Sequence, residues 1–107
     1  MIDFDHRQLD EVIHSPLRLA IMAVLTAVES AEFTFLRDQV KATDGNLGAH
    51  LRKLEEAGYV QLTKRFVDRK PRTDCALTPA GRAAFAAYID KLSSLLPAAH
   101  TVREDAR

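Results

Sequence analysis

One segment, Asp44 to Val60, constrains the fold more than any other part of the chain. Its sequence, DGNLGAHLRKLEEAGYV, opens with Thr43 or Asp44 as a helix cap and reaches Gly58, a residue typical of the position just after a helix. Leucines recur between them at three- and four-residue steps, which predicts a helix from Asp44 to about Ala57 with one apolar face. The opposite face is left for solvent or a partner. The leucines are Leu47, Leu51 and Leu54.

Upstream of this segment the patterns predict four elements. Ser15-Pro16 opens a core helix, because serine caps a helix start and proline is tolerated in the first turn. Apolar residues continue through Val28 at the spacing of a buried helix face. The other three elements are a short helix over Asp5–His14, a brief strand within Glu32–Phe35, and a helix over Phe35–Lys41 capped by Thr34.

Downstream, apolar and polar residues alternate over Tyr59–Phe66 and Asp74–Thr78, which predicts a β-hairpin with a basic loop at 67–73. Thr78-Pro79 then opens a last helix, from Ala80 to about Leu96. The chain is thus predicted to be mainly α with a small β-hairpin wing (α+β). We expect one domain over residues 1–97 and a disordered polar tail over 98–107.

Charge is distributed unevenly along the 107 residues. The whole chain balances 15 Lys plus Arg against 15 Asp plus Glu, but between Asn46 and Thr73 seven basic residues face three acidic ones, a local net charge of +4. Basic residues on a helix and on a nearby hairpin are what contact with the DNA backbone requires. An isolated amphipathic helix or a lone basic loop is more often only solvated surface, and the combination of the two favours DNA binding.

The outer face of the predicted 44–57 helix has the composition of a reading surface. Small residues at its start allow close approach to a groove, an asparagine can pair with an adenine edge, and basic residues can hold phosphate or guanine. His50 lies beside the core face, so DNA contact and half-buried packing are equally open. The predicted DNA-binding residues are Thr43, Gly45, Asn46, Ala49, His50, Arg52, Lys53, Lys64, Arg69, Lys70 and Arg72.

Two stretches carry a family resemblance. The segment HLRKLEEAGYV, with the following strand, basic turn and LTPAGRAAF, resembles winged helix-turn-helix regulators of the MarR and ArsR type. The stretch LDEVIHSPLRLAIM is similar to the start of small stand-alone winged-helix proteins, and the resemblance spans about Leu9 to Tyr88. It implies that the 44–57 helix enters the major groove of double-stranded DNA, that the hairpin is the wing, and that the terminal helices form a homodimer.

The last helix carries more apolar surface than a peripheral helix on a small body needs. The excess can pack on the chain's own core, form a seam between two copies, or be shared by both. We expect a homodimer, in which two reading helices lie about 34 Å apart and require a palindromic operator. The predicted interface residues are Leu9, Val12, Ile13, Phe85, Tyr88, Ile89, Leu92, Leu95 and Leu96.

The sequence lacks the residues that an enzyme or a metal-binding protein would require. There is no Gly-rich phosphate loop, no nucleophile with a plausible base and no carboxylate pair on an apolar surface, so we predict no enzyme. Cys75 is the single cysteine and is expected to be a core or hairpin residue, and the four histidines lack ligand spacing, so no metal or cofactor is predicted. No membrane span or signal peptide is recognisable, which predicts a cytoplasmic location. The remaining alternative is a winged-helix protein-interaction module, and the sequence defines neither an effector nor an operator.

Overall fold

The computed structural model describes residues 5–96, and its element order confirms the predicted α+β winged-helix architecture. A 3₁₀ turn at His6–Gln8 precedes four α-helices and a small antiparallel sheet. The sheet order is β1-β3-β2. The elements are α1 (Pro16–Thr26), β1 (Ala31–Glu32), α2 (Phe33–Val40), α3 (Asp44–Glu56), β2 (Val60–Val67), β3 (Lys70–Leu77) and α4 (Pro79–Ser94).

A single core joins every element. Its centre is the buried face of α1, with Ile21, Met22 and Leu25 inaccessible to solvent. The three leucines of α3 pack against this face, and the hairpin base closes the core from the other side. Cys75 is part of that base and is fully buried, as predicted. The core side chains of α3 and the hairpin base are Leu47, Leu51, Leu54, Val60, Cys75 and Leu77.

The predicted helix over Asp5–His14 is wrong. Only His6–Gln8 forms a 3₁₀ turn, and the residues after it follow turns. Aspartates account for the difference, because Asp5 accepts a hydrogen bond from the Arg7 amide and Asp10 accepts one from the Val12 amide at 2.9 Å. Side chains that bond to nearby amides compete with helical hydrogen bonding.

The first half of the helix-turn-helix also begins differently from the prediction. The extended stretch is limited to Ala31–Glu32, and α2 starts at Phe33 with Glu32 in the N-cap position. Thr34 is therefore inside the helix, and its hydroxyl donates to the Glu32 carboxylate instead of capping. Pairing with β3 holds Ala31 and Glu32 extended, a long-range contact that local propensity does not encode.

The predicted ends of α3 and the N-cap of α4 are confirmed, whereas the N-cap of α1 needs correction. Thr43 caps α3 by accepting from the Asn46 amide, and Thr78 caps α4 by accepting from the Gly81 amide at 2.9 Å. Gly58 follows α3 with a φ of 81°, the left-handed geometry that glycine adopts without strain. Ser15 occupies the N-cap position of α1 but makes no side-chain cap bond, so Pro16 carries that helix start alone.

Candidate nucleic-acid interface

Helix α3 separates a buried face from an exposed one. Its leucines are 0–1% exposed, whereas the side chains predicted to contact DNA are on the outside. His50 is the exception among them, because it is half-buried. The exposed members are Thr43 at the cap, Gly45, Asn46, Ala49, Arg52 and Lys53.

Two side-chain interactions fix the start of α3, one from its cap residue and one from α2. The Thr43 cap fixes the first turn, and Arg37 of α2 donates to the Asp44 carboxylate at 2.9 Å. Hydrogen bonds to Asp44 and then Asp38 raise the pKa of the Arg37 guanidinium. Lys41, in the turn, adopts a left-handed φ of 60°. The turn therefore positions the N-terminus of α3 relative to α2.

Two glycines in the first half of α3, the exposed Gly45 and the half-buried Gly48, are not required by packing. A Cβ added at Gly45 or Gly48 would meet no atom within 4 Å, and neither residue has a positive φ. Glycine inside a helix costs about 0.5–1 kcal/mol relative to alanine. The chain accepts this cost in the first half of α3, where small residues allow close approach to a groove.

His50 connects α3 to α1. Arg18 donates to His50 Nδ1 at 2.9 Å and also donates through Nε to the Val12 carbonyl. Burial lowers the pKa of His50, and the positive charges of Arg18 and Lys53 lower it further. The ring is therefore uncharged near neutral pH, with Nδ1 as acceptor and the proton on Nε2. The half-buried packing role is observed, and a DNA contact through Nε2 stays a prediction.

The wing is a longer hairpin with a shorter turn than predicted. The strands extend to Val67 and from Lys70, so the seven-residue loop is wrong and the turn consists of Asp68 and Arg69. Their φ values of 52° and 67° are those of a type I′ turn, whose twist matches paired strands. Lys70 accordingly begins β3, and Arg72 lies within that strand instead of at the tip.

The charges of the wing fall into two groups. Arg65 is ion-paired with Asp74, and Arg72 reaches Glu32 of β1 at 3.4 Å. Arg72 is thus half-buried and already ion-paired with Glu32, which reduces the contribution to DNA binding that the sequence predicts for it. The other three wing cations are exposed and form no ion pair within residues 5–96. They are Lys64, Arg69 and Lys70.

The residues predicted for a dimer interface divide by burial. Four are already inside the core of one chain and have almost no surface for a partner: Leu9, Ile13, Tyr88 and Leu95. Three are partly buried: Val12, Phe85 and Leu92. Two are largely exposed: Ile89 at 44% and Leu96 at 45%.

Several structural contacts have no signal in the local sequence. Tyr59 donates to the Asp10 carboxylate at 2.6 Å, a hydrogen bond that raises the pKa of the phenol. Arg82 of α4 donates to the carbonyls of Thr26 and Val28, so it caps the end of α1 from another helix. These partners are separated by tens of residues, and only the folded topology brings them together.

His14 has a structural contact, because its Nδ1 lies 2.8 Å from the Tyr88 hydroxyl. In the described part of the chain, residues 5–96, no cluster of three or more His, Cys, Asp or Glu side chains is arranged to hold a metal ion. In the same range no helix combines the length and apolarity needed to cross a membrane.

Together, the helix-turn-helix with its exposed second helix and the basic hairpin define a winged-helix DNA-binding regulator, a class that is not enzymatic. The sequence profile of the winged helix DNA-binding domain matches residues 17–96, and the chain belongs to that family. An uncharacterised protein of Methanocaldococcus jannaschii is 38% identical over 85 residues, which are 79% of this chain and 92% of that protein.

Solved structures of similar proteins support the assignment to winged-helix regulators. A transcriptional regulator homologue from Pyrococcus horikoshii OT3 superposes with a TM-score of 0.78 at 30% identity, over 83% of this chain and 88% of that one. A protein from Enterococcus faecalis V583 assigned to the MarR family of transcriptional regulators gives a TM-score of 0.67 at 27% identity, over 89% and 82% of the two chains. The predicted resemblance to MarR-type winged-helix regulators is therefore confirmed.

Proposed function

We propose that this protein binds double-stranded DNA sequence-specifically as a homodimer, with α3 in the major groove and the wing on the backbone or minor groove. The outer face of α3 carries this proposal. It is exposed, it carries Arg52 and Lys53, and it contains glycine where packing within the chain does not call for it. As a DNA-binding regulator it acts in the cytoplasm.

The side chains of α3 suggest a division of labour. Gly45 and Ala49 have small side chains that project little from the helix, so the backbone of α3 can approach the base edges. Asn46, in the first turn, offers an amide suited to the N6 and N7 edge of adenine. Arg52 and Lys53 lie about two turns further along and can hold phosphate or guanine. The positive end of the α3 dipole adds attraction for a phosphate.

The wing supplies a second contact, which is mainly electrostatic. Arg69 and Lys70 lie at its tip and Lys64 on its strand, each exposed and unpaired within residues 5–96. Charges of this kind neutralise phosphates and release counterions, which gives affinity with little sequence preference. Specificity is then assigned to α3 and general affinity to the wing.

The dimer surface is assigned to one stripe of α4. Viewed along the helix, Phe85, Ile89 and Leu92 fall on one side, next to the stripe of Tyr88 that is buried in the core. Phe85 and Ile89 line a groove of about 620 Å³ between α4 and the end of α1. The same stripe on a two-fold related copy would cover it, as isologous interfaces require.

Replacing Ile89 with glutamate tests this assignment. Ile89 is 44% exposed, so the change leaves the folded chain intact but places a charge in the seam. We expect sedimentation to show a monomer, while the matched change Ala83→Glu, at an exposed position on the opposite side of α4, leaves a dimer. A dimeric Ile89→Glu protein, or a monomeric wild type, would contradict the proposed seam.

Selection from a random duplex library tests the DNA-reading function. We expect the wild-type protein to enrich a palindrome whose half-sites are about one helical turn apart. The variant Gly45→Leu, which adds a side chain where the structure has open space, should fold normally but recover no such site. No enrichment by the wild type would favour a protein-interaction role, and equal enrichment by the variant would exclude α3 as the reading helix.

A further inference from the structure

The wing carries an apolar side chain that neither the core nor the charge pattern explains. Phe66, next to last in β2, is 76% exposed, the highest value among the exposed large apolar residues of the described chain. Its cross-strand partner is Pro71, which is also exposed. A phenyl ring backed by a pyrrolidine ring thus projects from the hairpin near its tip.

The pairing of Phe66 with Pro71 suits a stiff projection. In a hairpin with a two-residue turn, Val67 and Lys70 form the closing hydrogen-bonded pair, so the next pair is of the non-hydrogen-bonded kind. Side chains are closest in such pairs, and proline loses no ladder bond there. The ring of Phe66 therefore has a fixed apolar support on one side and solvent on the other.

The direction of this projection follows from strand alternation. Side chains two residues apart share a face, so Phe66 lies on the same face of β2 as Val60 and Leu62. That face packs on the core together with the leucines of α3. Beyond the edge of the core, the same face of β2 carries Lys64 and Phe66. The exposed ring is consequently on the side of the wing on which α3 lies.

Exposed cations surround the ring of Phe66 near the tip of the wing. On the opposite face, Arg65 and Arg72 are paired with acids. Lys64 on the Phe66 face, Arg69 in the turn and Lys70 on the opposite face are exposed and form no ion pair within residues 5–96. An apolar ring bordered by unpaired cations complements a ligand with an anionic rim and an apolar interior. The groove of a DNA duplex has both, as phosphates border the stacked bases.

We infer that Phe66 is a wedge, which enters the minor groove beside the site contacted by α3, partly unstacks a base step and bends the duplex. The inference rests on the proposed DNA-binding function and adds a deformation to it. Apolar wedges of this type kink DNA by about 20–90°. The binding site would then include an easily unstacked pyrimidine–purine step at the wing position, although no side chain reads its bases.

The bend can be measured by energy transfer between dyes at the two ends of a duplex that carries the selected site. We expect the wild-type protein to shorten the end-to-end distance and Phe66→Ala to abolish the shortening while weakening binding about tenfold, within the range that stacking contacts contribute. Phe35→Ala, which removes an exposed phenyl group from α2, should bend the duplex as the wild type does.

A tryptophan at this position provides a direct reporter. The chain contains no tryptophan, so Phe66→Trp introduces a single indole. We expect it to retain the bend, and its emission should be quenched by stacked bases and protected from acrylamide when the duplex is bound. Quenching and acrylamide protection that appear only with the duplex are results that a merely structural residue would not produce.

The outcomes separate the two proposals. If the wild type binds no duplex, the DNA-binding proposal and this one both fail. If it binds but the duplex stays straight, or if Phe66→Ala bends it equally, only the wedge is refuted. Indole emission that remains exposed to acrylamide in the complex, with a protein partner protecting it instead, would assign the wing tip to protein contact.

Discussion

Replacing Gly81 with alanine should destabilise the fold, because α4 crosses the backbone of Tyr59 at this point. A Cβ at Gly81 would lie 2.0 Å from the Tyr59 carbonyl oxygen and 2.8 Å from its carbon. Backbone atoms cannot rotate away as a side chain does. Helix and strand must therefore separate by at least about 1 Å, a case of overpacking that typically costs about 1–3 kcal/mol.

Separation would also disturb two hydrogen bonds. The Thr78 amide donates to the same Tyr59 oxygen at 3.0 Å, and the Thr78 hydroxyl donates to the Gly58 carbonyl at 2.6 Å. Each such bond contributes about 0.5–1.5 kcal/mol. Alanine returns at most about 1 kcal/mol of helix propensity. The expected net loss in the free energy of unfolding is about 2–4 kcal/mol, or a fall of about 10–30 °C in Tm for a domain of this size.

Thermal and urea denaturation followed by circular dichroism would measure this loss. The control is the same change in α3, Gly48→Ala, where the added Cβ meets nothing within 4 Å. It should raise stability by about 0.5–1 kcal/mol. Opposite signs for one substitution in two helices are a strong test. If Gly81→Ala were as stable as the wild type, the close crossing of α4 over Tyr59 would be refuted.

Two further predictions concern charge. Changing Arg69 and Lys70 to glutamine should reduce the slope of log K against log salt by about 0.9 for each phosphate that the wing no longer neutralises. The control Arg65→Gln changes a side chain that is already paired with Asp74, so it should alter the slope less. Equal slopes for the two variants would contradict a phosphate-binding wing tip. Burial, with a smaller effect of Asp74, raises the pKa of the Cys75 thiol to about 11. The contribution of the protonated Cys75 thiol to the free energy of unfolding is complete below the pKa of the unfolded thiol. This contribution decreases by about 2–3 kcal/mol as the pH rises towards 11. Urea titrations at several pH values should show this decline, and Cys75→Ala should remove that part of it.

The sequence predicts the elements with local periodicity well. The three leucines of α3, the Thr43 and Thr78 caps and the left-handed Gly58 are signals within a few residues, and the structure has each of them. Such features depend on backbone geometry and on the alternation of apolar positions, which neighbouring residues determine.

The errors in the wing have a different cause. A type I′ turn usually contains glycine, and Pro71 argues against a strand, so Asp68-Arg69 gave no sign of a tight hairpin. The register of the long hairpin then determines that Arg72 meets Glu32 and that Phe66 lies opposite Pro71. These contacts depend on strand pairing, which no local pattern encodes.

Methylation interference on the selected duplex tests the central claim most directly, since dimethyl sulfate marks guanine N7 in the major groove and adenine N3 in the minor groove. If two α3 helices read the major groove, N7 methylation should block binding in two patches about one helical turn apart on one side of the duplex. Adenine N3 methylation should interfere beside each patch, at the wings. Interference confined to a single patch, or its absence at every guanine N7, would contradict a homodimer that reads DNA through α3.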